Sequence, residues 1–101
     1  MGVYFSHSKQ EGTEGIVEPD ITFKPSAFKH GITEADIRNA FLTFKLDEVL
    51  GDCAEKFLLV GFDNNGNLLE VIYNITDDVI IDVFHAMKCR KEYADKIERQ
   101  K

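Results

Sequence analysis

Four polar side chains in the last third of this 101-residue chain have the types and spacing to do chemistry: Glu70, His85, Lys88 and Arg90. A carboxylate beside an imidazole orients the ring and fixes its tautomer, the basis of a general acid–base pair. Lysine and arginine close by can hold a phosphate or stabilise charge developing on phosphorus, arginine through its planar fork. The same groups also have a plainer use. As a cross-strand polar pair and surface cations they would add only a few tenths of a kcal/mol to about 1 kcal/mol.

What decides between these uses is the pair of strands that must bring the groups together. Leu68 to Ile75 and Val79 to Met87 read as strands joined at Thr76-Asp77-Asp78. Upstream, Glu55 to Asp63 is nearly continuous in apolar residues, so it reads as a central strand covered on both faces. Asn65-Gly66 is a strong two-residue hairpin signal, since both residues tolerate positive φ. Lys45 to Leu50 is a shorter, weaker strand. If Asp77-Asp78 form the second tip, Thr76 faces Val79 and Glu70 faces His85. Their Cβ atoms would then lie roughly 5 Å apart. If Asn65-Gly66 form the first tip, Gly61 lies beside Glu70 and leaves a gap free of side chains. A slip of one residue in either turn would send the groups to opposite faces.

Helices flank these strands. Pro25 is a good first helical residue, so Ser26 to Lys29 can form one turn ended by Gly31. Thr33 with Asp36 three residues on is an acidic variant of the capping box, and Ile37, Ala40, Phe41 and Phe44 make one apolar stripe. Residues 89 to 100 form a last helix with Tyr93 and Ile97 inward. The expected class is α+β: N-terminal helices, an antiparallel meander of three to four strands, and a C-terminal helix. Ile21-Thr22-Phe23 reads as a short extended piece, and residues 1 to 20 as an arm ahead of a single domain at 21–101.

Composition narrows the functions. The length suits one domain with its own core. No apolar run approaches the roughly 20 residues of a membrane span. The start lacks the pattern of a signal peptide, and the lone cysteines Cys53 and Cys89 have no metal spacing, so a reduced cytoplasmic setting is expected. The histidines His7, His30 and His85 are not spaced for zinc, and no cofactor is expected. A net charge of −6 speaks against a dedicated nucleic-acid binder, yet it is unevenly spread. From Lys88 onward six cations face three acids, a local +3 that leaves −9 on the rest. That basic ridge fits a phosphate, an acidic partner, or simply a solvated terminal helix.

The motif Lys29-His30-Gly31-Ile32 ahead of an acidic helix start resembles the BrnT-like toxins of bacterial toxin–antitoxin pairs. The resemblance extends through Gly66-Asn67-Leu68-Leu69-Glu70-Val71, the strand end His85-Ala86-Met87, and Arg90 before Tyr93, covering about residues 22 to 97. It implies a RelE-like fold and a small metal-independent ribonuclease, restrained by an antitoxin protein. Where such chains end the last strand in a Ser-Ala-Arg-like triplet, this one has His85-Ala86-Met87, so the arginine is replaced by Met87. On this reading His85, Glu70 and Arg90 are the catalytic set, and Lys88, Lys91, Lys29 and His30 meet RNA phosphates. A second reading is a non-enzymatic module, binding a protein partner or a second copy through an apolar sheet face left partly uncovered or through the basic helix.

Overall fold

The structure is a computed structural model that describes residues 20–50, 56–77 and 79–99. Most of the expected arm, together with His7, Cys53 and Asp78, lies outside the described residues.

The elements follow in the order β1 (Asp20–Phe23), a 3₁₀ turn (Pro25–Phe28), α1 (Glu34–Leu42), β2 (Leu46–Val49), β3 (Phe57–Phe62), β4 (Leu68–Thr76), β5 (Ile80–Lys88) and α2 (Lys91–Arg99). The class is α+β, with one five-stranded sheet in the order β1-β5-β4-β3-β2. The antiparallel meander β2 to β5 is as expected. The sheet is one strand wider than expected, because the extended piece at Asp20–Phe23 pairs parallel to β5 along Ile80 to Val83. No helix among the described residues is long and apolar enough to cross a membrane.

Two helices cover opposite faces of the sheet. Thr33 caps α1, its side chain accepting from Asp36 N at 3.1 Å, and Ile37, Ala40 and Phe41 pack on Leu59, Val71 and Tyr73. Tyr93 and Ile97 of α2 pack against Leu46, Leu58 and Val60 on the other side. Alternation along the strands thus splits the core in two. β3 is buried from Phe57 to Gly61, so the double-sided apolar run is covered on both faces.

Gly61 is not the gap beside Glu70. The first hairpin closes with Asp63 N donating to Asn67 O at 2.8 Å around Asn64-Asn65-Gly66, with Gly66 at φ 85°. Asp63 Oδ1 accepts from the amides of Asn65 and Asn67, each at 2.8 Å, which fixes this three-residue loop instead of a two-residue one. The register therefore moves by one: Val60 faces Glu70, and Gly61 faces Leu69 on the α1 side. A Cβ at Gly61 would stand 2.1 Å from the carbonyl oxygen of Ala40, so that position lets the helix lie directly on the sheet.

The second hairpin also departs from expectation, twice. Thr76 pairs with Ile80 instead of Val79, around a loop in which Asp77 takes φ 52°. Between Tyr73↔Val83 and Ile72↔His85 the strand then takes in Phe84 as a β-bulge. Each change is a slip of one residue, and together they restore parity. Glu70 now faces Met87, and His85 sits on the diagonal but on the same face. The bulge is where β1 ends: Lys24 N donates to Val83 O at 2.8 Å, and Ser26 Oγ donates to Phe84 O at 2.7 Å.

Candidate active site

Glu70 stands mid-sheet on the α2 face with its side chain fully buried. A buried carboxylate is tolerated only when its lone pairs are met. His85 Nε2 lies 2.9 Å from Glu70 Oε2, and Arg90 reaches the same oxygen through Nη2 at 2.8 Å. Arg90 Nε donates to Oε1 at 3.0 Å, and its backbone N–H reaches Oε1 at 3.1 Å. The arginine thus grips the carboxylate in a fork from the head of α2. Its guanidinium also lies over the Tyr93 ring, 5.1 Å from the centroid, a neighbour three residues on.

The electrostatics follow from these contacts. Burial alone pushes the Glu70 carboxyl up, but the hydrogen bonds from Arg90 and then His85 outweigh it and hold it below its ordinary value. Glu70 in turn raises Arg90 further above its already high value. Burial, aided by the Glu70 charge, pushes the neighbouring Cys89 thiol up to about 11, which makes it a poor nucleophile. With Glu70 ionised, His85 Nε2 is the donor in their contact, so a neutral ring keeps its lone pair on Nδ1. The His85 side chain is 24% exposed and that of Arg90 46%, against none for Glu70. Of the five N–H donors of a guanidinium, two are held by Glu70 and three remain among the described residues.

The ring of His30 stands edge-on to His85, with centroids 5.7 Å apart and planes at 73°. It is placed by the end of the 3₁₀ turn, where Gly31 at φ 82° redirects the chain toward α1. Beside it opens a cleft of about 340 Å³, in which Ile32, Leu69 and Met87 supply apolar wall. His30 and Lys88 share this cleft with Asp63 and Asn67 of the first hairpin.

The structure therefore brings Glu70, His85, Arg90 and His30 together, and Lys88 meets His30 in the cleft. Lys91 is exposed on α2 and turned to Asp95 at 3.1 Å. Lys29 is exposed at the end of the 3₁₀ turn, one residue before His30. Sequence reasoning missed Ser26, which fastens the bulge, and Met87 as the residue opposite Glu70. It had no signal for either, since both depend on where the bulge falls.

The five-stranded sheet and the helices on its two faces make an α+β fold of the BrnT-like kind. The crystal structure of the Brucella abortus ribonuclease toxin BrnT matches 73% of this chain and 100% of its own, at 19% identity and a TM-score of 0.53. At that identity the likeness shows the fold. No protein-family model and no curated protein sequence matches the chain.

Proposed function

We propose that this protein is a divergent member of the BrnT-like toxins: a metal-independent endoribonuclease of the cytoplasm, held in check by an antitoxin protein. The observation that carries the reading is a half-exposed guanidinium and a partly exposed imidazole anchored on one fully buried, ionised carboxylate. The fold it shares with a ribonuclease toxin supports it.

In the reaction we infer, Glu70 holds the Nε2–H of His85 so that Nδ1 accepts the proton of a ribose 2′-hydroxyl. The 2′ oxygen attacks the adjacent phosphorus, the bond from phosphorus to the 5′ oxygen breaks, and a 2′,3′-cyclic phosphate forms. The departing 5′ oxygen takes a proton back from the imidazolium. The outward N–H groups of Arg90 offset the charge gathering on the phosphorane oxygens, while Lys88, paired with Leu69 on the other face of the sheet, meets the next phosphate. Lys29, Lys91 and His30 meet neighbouring phosphates.

One observation favours a second reading, the non-enzymatic module. Arg90 binds Glu70 from the first residues ahead of α2, so the same network can serve to fasten that helix to the sheet. Expressing the wild type and His85→Ala in bacteria without any antitoxin separates the two. The ribonuclease reading expects slowed growth and fragmented RNA with the wild type, both absent in the variant. A wild type that neither slows growth nor degrades RNA sinks it and leaves the module.

A further inference from the structure

We propose that the cleft beside His30 is a nucleotide subsite: it takes one unstacked base and its 5′ phosphate, and prefers cytosine over uracil. The idea that its ligand is nucleic acid rests on the ribonuclease reading; the assignment of base and phosphate rests on the cleft itself.

The volume of about 340 Å³ lies at the small end of the roughly 300–1,000 Å³ typical of ligand clefts, which suits a single nucleotide. Its chemistry is also that of such a unit. Ile32, Leu69 and Met87 offer apolar surface, and the exposed His30 ring adds an aromatic face. Single-stranded bases are held on surfaces of this kind. Lys88, exposed at the end of β5, is the cation for a phosphate. The first hairpin gives the base edge its partners. Both Asn65 N and Asn67 N donate to Asp63 Oδ1 at 2.8 Å, so this carboxylate is locked in place, while among the described residues Oδ2 takes a long contact of 3.4 Å from Asn67 Nδ2. Asp63 is therefore a fixed acceptor, able to receive an exocyclic amino group. Cytosine carries one at the ring position where uracil carries a carbonyl oxygen, which would meet the carboxylate unfavourably.

The cleft also lies in the right place. Leu69 and its partner Lys88 set it on the α1 side of the sheet, and it reaches the cluster on the other side at the strand end, through Met87, paired with Glu70, and His30, which borders both the cleft and His85. A base seated there brings its own strand up to the imidazole, which gives the site a means of choosing where to cut.

The test uses the full chain and ligands that carry no phosphodiester, so binding is read apart from cleavage. Titrating 5′-CMP, 5′-UMP and ribose 5-phosphate against the labelled wild type should shift the backbone amides of Gly31, Asn67, Leu69 and Lys88. CMP should bind about tenfold or more tighter than ribose 5-phosphate, in line with the contribution of a stacked base, and tighter than UMP. Lys88→Ala should weaken CMP and ribose 5-phosphate alike. Equal binding of CMP and ribose 5-phosphate, or shifts at other residues, overturns the subsite. So does RNA cleavage by a wild type that binds no mononucleotide, although the ribonuclease reading then stands. Mononucleotide binding by a protein that leaves RNA intact upholds the subsite and sinks the ribonuclease reading instead.

Discussion

Two carboxylates, Glu70 and Asp82, sit on one face of the same strand pair, on either side of the Phe84 bulge, and they come to different ends. Asp82 faces Asn74 and is tied to β1, accepting from Thr22 Oγ1 at 2.8 Å and pairing with Lys24 Nζ at 2.9 Å. The Lys24 side chain is 56% exposed, a flexible point charge reaching in from solvent. Glu70 is gripped instead by a planar fork and an imidazole, and no part of its side chain reaches water. Both acids are held below their ordinary values against the upward push of burial, by Arg90 and His85 in one case and by Lys24 and Thr22 in the other. A buried acid is therefore no mark of a site. What separates Glu70 is what it holds: an imidazole whose second ring nitrogen can take up a proton, set beside a fixed guanidinium fork, where Asp82 holds a lysine and a hydroxyl.

The sharpest way to break this contrast is to remove each acid. Glu70→Ala should cost about 3 kcal/mol, the low end for breaking a buried pair, because the cations left behind can reach water. It should also abolish any cleavage of RNA. Asp82→Ala should cost about 1 kcal/mol or less, as befits a pair with an exposed lysine, and leave cleavage in place. Urea unfolding of both variants, beside an assay on RNA, measures this. Equal losses in the two would mean that Glu70 is no more than another tie between elements.

Acid should sharpen the same contrast. The folded-state pKa of Glu70 lies below its ordinary 4.5, so the unfolded chain binds more protons than the folded one in that range. The stability Glu70 contributes is complete above about pH 4.5 and drains away as pH falls through the folded value. Asp82 behaves alike from its lower ordinary value of 3.8. Glu70→Gln should therefore flatten the acid limb of the stability profile first, at the higher pH, while Asp82→Asn changes only its lower end. Unfolding midpoints between pH 3 and 6 report the order; a wild-type limb unchanged by Glu70→Gln contradicts the ionised state assigned to it.

Much of the frame could be read locally. Thr33 and Asp36 announced the start of α1, and the apolar run of β3 announced a strand covered twice, because caps and burial patterns lie within a few residues of each other. Even there a second use went unseen: Asp36 Oδ1 accepts from the backbone and side chain of Asn64, both at 3.0 Å, which pins the first hairpin to the helix. The closeness of Glu70 and His85 was legible and the geometry that produces it was not. Glu70 and His85 share a face for a different reason than an even register. Two slips cancel, one in the loop containing Asp77 and one at Phe84. The second is held by Ser26, 58 residues earlier in the chain, and by the end of a four-residue strand whose partners lie 60 residues on. No window of sequence contains both halves of such an arrangement.

That arrangement makes a prediction about Phe84 itself, the smallest in effect. As the extra residue of the bulge it has no partner of its own, since Val83 already faces Tyr73 and His85 already faces Ile72. Deleting Phe84 should let the strand pair regularly while His85 keeps its place opposite Ile72 and its contact with Glu70. Ser26→Ala, which only unfastens the bulge, should cost about 1 kcal/mol for one hydrogen bond. Both variants should leave the His85 imidazole signals in an NMR spectrum close to those of the wild type. Loss of the Glu70 contact in the simple deletion would show that the bulge aims His85 by its twist and not by restoring the count of residues.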